Sequence, residues 1–259
     1  KRMPKFIRHF VFLAKLFLRA KNVDILLALN AVSAGVPTAL VARMRRKKFI
    51  VRIVGDYAWE IAVNTGKTSL LIGDFQKMPR RGRIGLLHRL QVWTAVRADA
   101  VIVPSEYLAG IVRGWGIAPE KIKVIYNGVD FEPAMLARDQ ARKEIGISGN
   151  IILSAGRLVP WKGFRMLVKI MPQLLQVNQF FRLVIVGDGP DREVLTTMVR
   201  NLGLDRKVYL VGAKSQKGLA TYLAAADMFV LNSGYEGFSH QLLEAMESGV
   251  PIITTAVGG

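Results

Sequence analysis

Short apolar runs recur along the chain, and most are followed by segments in which apolar residues return every three or four positions. The first pattern is that of buried strands and the second that of amphipathic helices. The runs predict strands at Val23–Leu29, Phe49–Val54, Ala100–Val103, Ile151–Ala155, Arg182–Val186, Lys207–Val211, Ala226–Leu231 and Ile252–Val257, with Val124–Tyr126 and Asn127–Asp130 closing the first half. Helices are predicted over Pro4–Ala20, Ala34–Met44, Leu86–Ala98, Asp139–Gly146 and Gly218–Ala226. Others start near Ser105, Phe164 and the GDGP turn at 187–190, and at Ser239, where Leu242, Leu243 and Met246 recur at helical spacing. Gly55–Glu60 reads as a loop and residues 61–83 as an irregular surface segment. Strand–helix alternation argues for parallel α/β sheets. Between the two halves, Phe131–Asn150 carries Pro133, the short charged helix and a Ser-Gly-Asn turn. The expected division is residues 1–132, a linker at 133–149, and residues 150–259.

Composition sharpens this. A chain of 259 residues, 51% of them hydrophobic, suits two modest α/β domains. Cysteine is absent, which excludes disulfides and cysteine metal sites and fits a reducing compartment. No apolar run reaches the length needed to span a bilayer. Lys15 interrupts the first apolar segment and no small-residue cleavage site follows, so a signal peptide is not expected.

The net charge of +18 is unevenly placed. Residues 1–145 hold 26 basic and 11 acidic side chains, and residues 146–259 hold 11 and 8. A basic first half implies an anionic partner, whether a membrane surface, a phosphorylated acceptor or nucleic acid. No zinc-finger or RNP-type aromatic motif accompanies the charge, so nucleic acid is not the expected partner. The segment Pro4–Ala20, with Arg8, Lys15 and Arg19 among apolar residues, has two open readings: a basic helix on anionic lipid, or a helix packed on a sheet with its cations in water. The basic turn Arg43–Lys48 reads either as a contact to lipid phosphates or as a solvated helix cap, and Arg80, Arg81 and Arg83 could meet an anionic acceptor or only water.

Chemistry concentrates in the second half. Asn232–Gly249 places Glu236 in a glycine-containing loop after a strand and Glu244 in the following helix, roughly 7–8 Å past the cap at about 1.5 Å per residue. On the helical wheel Glu244 points away from Leu242, Leu243 and Met246 and shares a face with His240. Loop amides and a helix N-terminus between two acids form an anion site flanked by hydroxyl acceptors, which suits a nucleotide sugar. A capped surface helix with a solvated His–Glu pair fits the same spacing. Upstream, GRLVPWKGF sets Arg157 and Lys162 on a strand-to-helix connection beginning at Gly156, where a diphosphate would meet two cations and helix amides. The turn with Gly187 and Gly189 is not a G-x-G-x-x-G fingerprint. Asp56, beside Tyr57, Trp59 and Glu60, ends a predicted strand where ligands bind in parallel sheets.

These stretches together resemble family 4 glycosyltransferases: the E-x7-E pair in YEGFSHQLLEAMESGVPIITTAVGG, the GRL…KG segment, and ADAVIVPSEYLAGIVRGWGI…KIKVIYNGVD. The resemblance implies the α/β GT-B fold, two Rossmann-like domains with parallel sheets facing across a cleft. It implies a retaining, hexosyltransferase-type enzyme moving a sugar from a nucleotide-sugar donor to a glycan or lipid-linked acceptor hydroxyl, in cell-surface polysaccharide, lipopolysaccharide or glycolipid synthesis. Arg157 and Lys162 would hold the pyrophosphate and Glu236 the sugar hydroxyls. Amides near Gly237, Phe238 and Ser239 would hold phosphate and Glu244 the ribose, with Gly187 and Gly189 bordering the nucleotide. Where the family often has a histidine, this chain has Gly55 and Asp56, and Asp56 is the candidate contact to sugar or acceptor. No metal or other cofactor is expected. The expected location is cytoplasmic, peripheral on the inner face of the plasma membrane. The family's opening glycine-loop strand and closing helices are missing, so the chain reads as a fragment whose own activity is in question. A nucleotide-sugar 2-epimerase of the same architecture, or a non-catalytic nucleotide-sugar or anionic-lipid binding module, remains as an alternative.

Overall fold

The structure, a computed structural model, describes the backbone of residues 5–259 and the side chains from Phe10 onward. Pro4 and the side chain of Arg8 lie outside the described residues. The chain divides into two compact units, one up to Tyr126 and one over Asn127–Val257.

The first unit runs α1 (Lys5–Arg19), β1 (Ile25–Ala28), α2 (Gly35–Arg45), β2 (Lys48–Arg52), α3 (Tyr57–Asn64), α4 (Ile72–Lys77), α5 (Gly82–Arg97), β3 (Ala100–Val103), α6 (Glu106–Arg113) and β4 (Ile122–Val124). Its four strands are parallel and lie in chain order, β1-β2-β3-β4. The interior strands bury Phe49, Val51, Val101 and Val103 against Leu108, Val112 and the small residues of α2. Strand β1 buries only alternate residues: Leu26 and Ala28 face the core, while Ile25 and Leu27 are each 54% exposed.

The regular structure exceeds the expectation for residues 55–83. Tyr57–Asn64 is a helix capped by Asp56, and Ile72–Lys77 is a second, where a loop and an irregular segment were predicted. Trp59 is a core residue at 1% exposure, its indole N–H donating to the Leu70 carbonyl. The end of α2 also differs. Half of the expected basic turn, Arg43–Arg45, is helix, closed by Arg46 in the left-handed region at φ +53°.

The second unit runs α7 (Arg138–Ile145), β5 (Asn150–Ala155), α8 (Phe164–Val177), β6 (Phe181–Val186), α9 (Arg192–Asn201), β7 (Val208–Gly212), α10 (Gln216–Ala225), β8 (Met228–Leu231), α11 (His240–Glu247) and β9 (Ile252–Thr254). All five strands are parallel, in the order β7-β6-β5-β8-β9. The strands read as unbroken apolar runs because both faces are covered. Ile151, Leu153, Val184 and Phe229 meet Ala141, Leu223 and Ala225 on one side. Ile152, Leu183 and Ile185 meet Phe164, Leu167, Met171 and Leu195 on the other.

The segment 133–149 packs into this second unit. Helix α7 lies against α10, Phe131 and Ile147 join the core, and Arg142 pairs with Asp227 at 2.6 Å. The same Asp227 oxygen accepts from the Ile151 amide at 2.7 Å. Among the described residues no helix is long and apolar enough to cross a membrane.

Candidate functional site

From β5 the chain builds outward to β6 and β7, then returns to lay β8 on the other side of β5. The carboxyl ends of the strands at such a reversal, here β5 and β8, are the place where open α/β sheets take ligands. The three loops leaving β5, β6 and β8 carry the residues singled out in the second half of the sequence, except Glu244, which lies on α11.

Backbone contacts fix these loops to one another. The amide of Gly156 donates to Val186 O, that of Leu158 to Asp188 O, and that of Asp191 back to Leu158 O, at 2.9–3.0 Å. Gly187 sits at φ +145°, and a Cβ there would overlap the carbonyl oxygen of Gly156. Only glycine meets both demands. Gly163 does the same on the other flank: at φ +72° it lies against the Asn232 carbonyl, and the Gly234 amide donates to Trp161 O at 2.7 Å. A Cβ at Gly189 would also come too near Leu158 O.

On this frame Lys162 and Glu236, 74 residues apart, form an ion pair of 2.6 Å. Their side chains are only 12% and 9% exposed, so the pair is shielded from water. Glu236 Oε1 accepts a second bond, from Ser233 Oγ at 2.5 Å. Oε2 of Glu236 has no partner among the described residues. Arg157, on the same loop as Lys162, is exposed and makes no side-chain hydrogen bond or ion pair among the described residues. One tethered cation, one free cation and one open carboxylate oxygen suit a diphosphate beside a polyhydroxyl group.

Helix α11 is capped by Ser239, whose hydroxyl accepts from the Leu242 amide at 3.3 Å. Gly237 and Phe238 are half-buried, and the Phe238 carbonyl accepts from Asn127 Nδ2 at 3.1 Å. The helix is turned differently from the wheel expectation. Ala245 is its fully buried residue, Met246 is 65% exposed, and Glu244 is half-buried rather than aligned with exposed His240. Oε2 of Glu244 is buried without a partner among the described residues, and burial pushes the Glu244 carboxyl up.

Asp56 does not join such a site. Its carboxylate is completely buried in the first unit, where Oδ1 accepts from the Trp59 amide and Gln91 Nε2 and Oδ2 from Gln76 Nε2, at 2.8–3.0 Å. This corrects the expected sugar or acceptor contact: both oxygens are committed to capping α3 and tying it to α4 and α5. The network continues through Gln76 Oε1, which accepts from Arg80 and Trp115. Arg80 also touches His88 Nε2 at 3.1 Å, and burial followed by that guanidinium lowers the affinity of His88 for a proton. Arg80 is therefore an internal tie, while Arg81 and Arg83 are exposed.

Sequence reasoning missed Ser233 and Thr255. The Ser233 carbonyl accepts from Thr255 Oγ1 at 2.6 Å, which anchors the Ser233–Glu236 turn to the end of β9. A Ser-x-x-Glu spacing was legible, but its usual meaning is a capping box at a helix start. Here no helix begins, and the hydroxyl bonds the carboxylate itself.

Comparison with known proteins follows this geometry. Residues 1–133 match the family described as Glycosyltransferase Family 4, and residues 137–259 match Glycosyl transferases group 1. An uncharacterized glycosyltransferase of Methanocaldococcus jannaschii is 33% identical over 181 residues, 67% of this chain and 46% of that protein. A Campylobacter jejuni protein named N-acetylgalactosamine-N,N'-diacetylbacillosaminyl-diphospho-undecaprenol 4-alpha-N-acetylgalactosaminyltransferase is 29% identical over 160 residues, 61% and 42% of the two chains. The chain thus spans less than half the length of these curated relatives. Among solved structures, Anabaena HepE in complex with UDP and glucose superposes with a TM-score of 0.77 at 24% identity. That alignment covers 96% of this chain and 64% of that one, and it shows a shared fold.

Proposed function

The chain belongs to Glycosyltransferase Family 4, and from that premise we propose that it serves the transfer of a sugar from a nucleotide-sugar donor to an acceptor hydroxyl, with retention at the anomeric carbon. One observation carries the reading: Lys162 and Glu236 meet at the strand-order reversal of the second sheet, beside an unpaired Arg157. Breaking a sugar–phosphate bond leaves negative charge on the departing diphosphate and positive character on the sugar ring. Lys162 and Arg157 would take the first charge, which removes the need for a metal. Glu236 would hold the sugar hydroxyls through Oε2. The amides around Gly237, Phe238 and Ser239 would complete the phosphate site. Glu244 would receive the ribose.

The test is a thermal-shift panel of UDP, GDP and ADP with their common sugar conjugates. Binding to the native state raises the melting temperature by mass action. We expect one base to stabilise the unmodified chain, and Arg157→Ala to lower that affinity at least tenfold without changing the melting temperature of the free protein. An unchanged affinity in Arg157→Ala would place the diphosphate elsewhere.

We further propose a lipid-linked or membrane-borne glycan acceptor and a peripheral position on the inner, cytoplasmic face of an anionic membrane. The name of the Campylobacter relative refers to a diphospho-undecaprenol-linked substrate. In this chain the support is the basic first half, and Phe10 and Leu18 on α1, 72% and 64% exposed. Cations near apolar side chains suit an anionic lipid surface.

A further inference from the structure

We infer that Ser233 is a positioning residue that decides which oxygen of Glu236 meets the sugar. The inference rests on the donor-site reading above. Ser233 is buried, 2% exposed, and its hydroxyl has one acceptor in reach, Glu236 Oε1 at 2.5 Å. Lys162 Nζ donates to that same oxygen at 2.6 Å. Two donors on one oxygen fix the plane of the carboxylate. They also leave Oε2 as the only oxygen able to accept from a ligand hydroxyl. Ser233 itself cannot drift, because Thr255 Oγ1 holds its carbonyl at 2.6 Å. Its neighbour Asn232 is pressed against Gly163.

Without the serine hydroxyl, Lys162 alone holds the carboxylate, and one charge contact leaves rotation about the terminal bond open. The two oxygens then exchange places and the hydroxyl acceptor loses its fixed direction. The diphosphate contacts do not depend on this rotation. The predicted signature is therefore a change in the affinity ratio between a nucleotide sugar and its parent diphosphate, not a general loss of binding.

The experiment is isothermal titration of the full chain and of Ser233→Ala with UDP, GDP and ADP, each against its glucose conjugate. For the base that binds, we expect Ser233→Ala to weaken the glucose conjugate about tenfold, the scale of one hydrogen bond to a charged group. The parent diphosphate should change less than twofold. Ser233→Thr, which keeps the hydroxyl, should restore the ratio. Thr255→Val, which frees the Ser233 carbonyl, should move the ratio in the same direction by a smaller factor. Equal losses for diphosphate and conjugate would overturn the positioning role and leave the donor site standing. No binding of any of the six ligands by the unmodified chain would overturn both.

Discussion

Asp56 in the first unit and Glu236 and Glu244 in the second are acids held in opposite ways. In the first, Asp56 has three side-chain and amide donors from its own unit and both oxygens are spent. In the second, among the described residues, Glu236 has two donors on one oxygen and none on the other, and Glu244 has a buried oxygen without a donor. A saturated buried carboxylate is scaffold, because any ligand must compete with bonds already made. An unsaturated one carries a free-energy cost that a ligand can relieve. The difference follows from topology. Strand order in the first sheet runs straight through β1-β2-β3-β4, whereas the second reverses beside β5, where the loops after β5 and β8 leave in opposite directions across the sheet.

The largest expected effect would break this contrast if it failed. Asp56→Asn puts an amide nitrogen where one carboxylate oxygen faced Gln76 or Gln91, so donor meets donor. We expect a loss of about 2 kcal/mol, or some 4–8 °C in the melting temperature, for an imperfectly satisfied buried group. Diphosphate affinity should stay within twofold. A loss of binding with unchanged melting temperature would return Asp56 to the ligand site.

Charge gives a second, intermediate contrast. Binding to vesicles containing anionic phospholipid should fall at least tenfold between 50 and 300 mM salt, since screening shortens the reach of the basic half. Neutralising Arg43, Arg45, Arg46, Lys47 and Lys48 together should remove most of it, whereas neutralising Lys214 and Lys217 in the second unit should not. Binding unmoved by salt, or moved equally by both sets, would remove the membrane role from the first unit.

The smallest effect concerns Glu244. Its folded-state carboxyl titrates above the unfolded one because burial disfavours the charge. Such a group favours the fold below the unfolded value, and that advantage is lost as pH rises through the folded one. Glu244→Gln should therefore raise the melting temperature at pH 7, by about 2 °C on the scale of a sub-kilocalorie change, and bring no gain near pH 3. The same substitution should weaken nucleotide binding. A melting temperature unchanged at both values would mean that the orphaned oxygen carries no cost.

Much of the architecture was legible because parallel α/β chains write it in local periodicity. Ala100–Val103 and the start of α8 at Phe164 fell where the pattern placed them. Ser105 and Ser239 cap the helices they were expected to cap. Strand ends moved by one to three residues, since burial rather than composition ends a strand. What local pattern could not show was the partner of a polar side chain. Asp56 stood at a strand end, where ligands often bind, but its saturating partners Gln76 and Gln91 lie 20 and 35 residues away. Helices α3 and α4 were hidden for a related reason: Trp59 and Phe75 look like surface aromatics until the core that covers them is known. Glu236 and Lys162 were found separately by residue type. Their ion pair, and the serine beneath it, needed the reversal of strand order to bring 74 residues of chain together.

The backbone-on-backbone seams at Gly163 and Gly187 bear on how this protein can be altered. A saturation library would show near-empty columns at these two positions, whatever ligand was offered, because every side chain collides with a carbonyl. Side chains beside the seams have more freedom: Arg157 and Asp188 are exposed and Phe238 is half-buried. A search for altered donor preference should randomise those three and leave the glycines alone, since the mould of the pocket is main chain and only its lining is open to change.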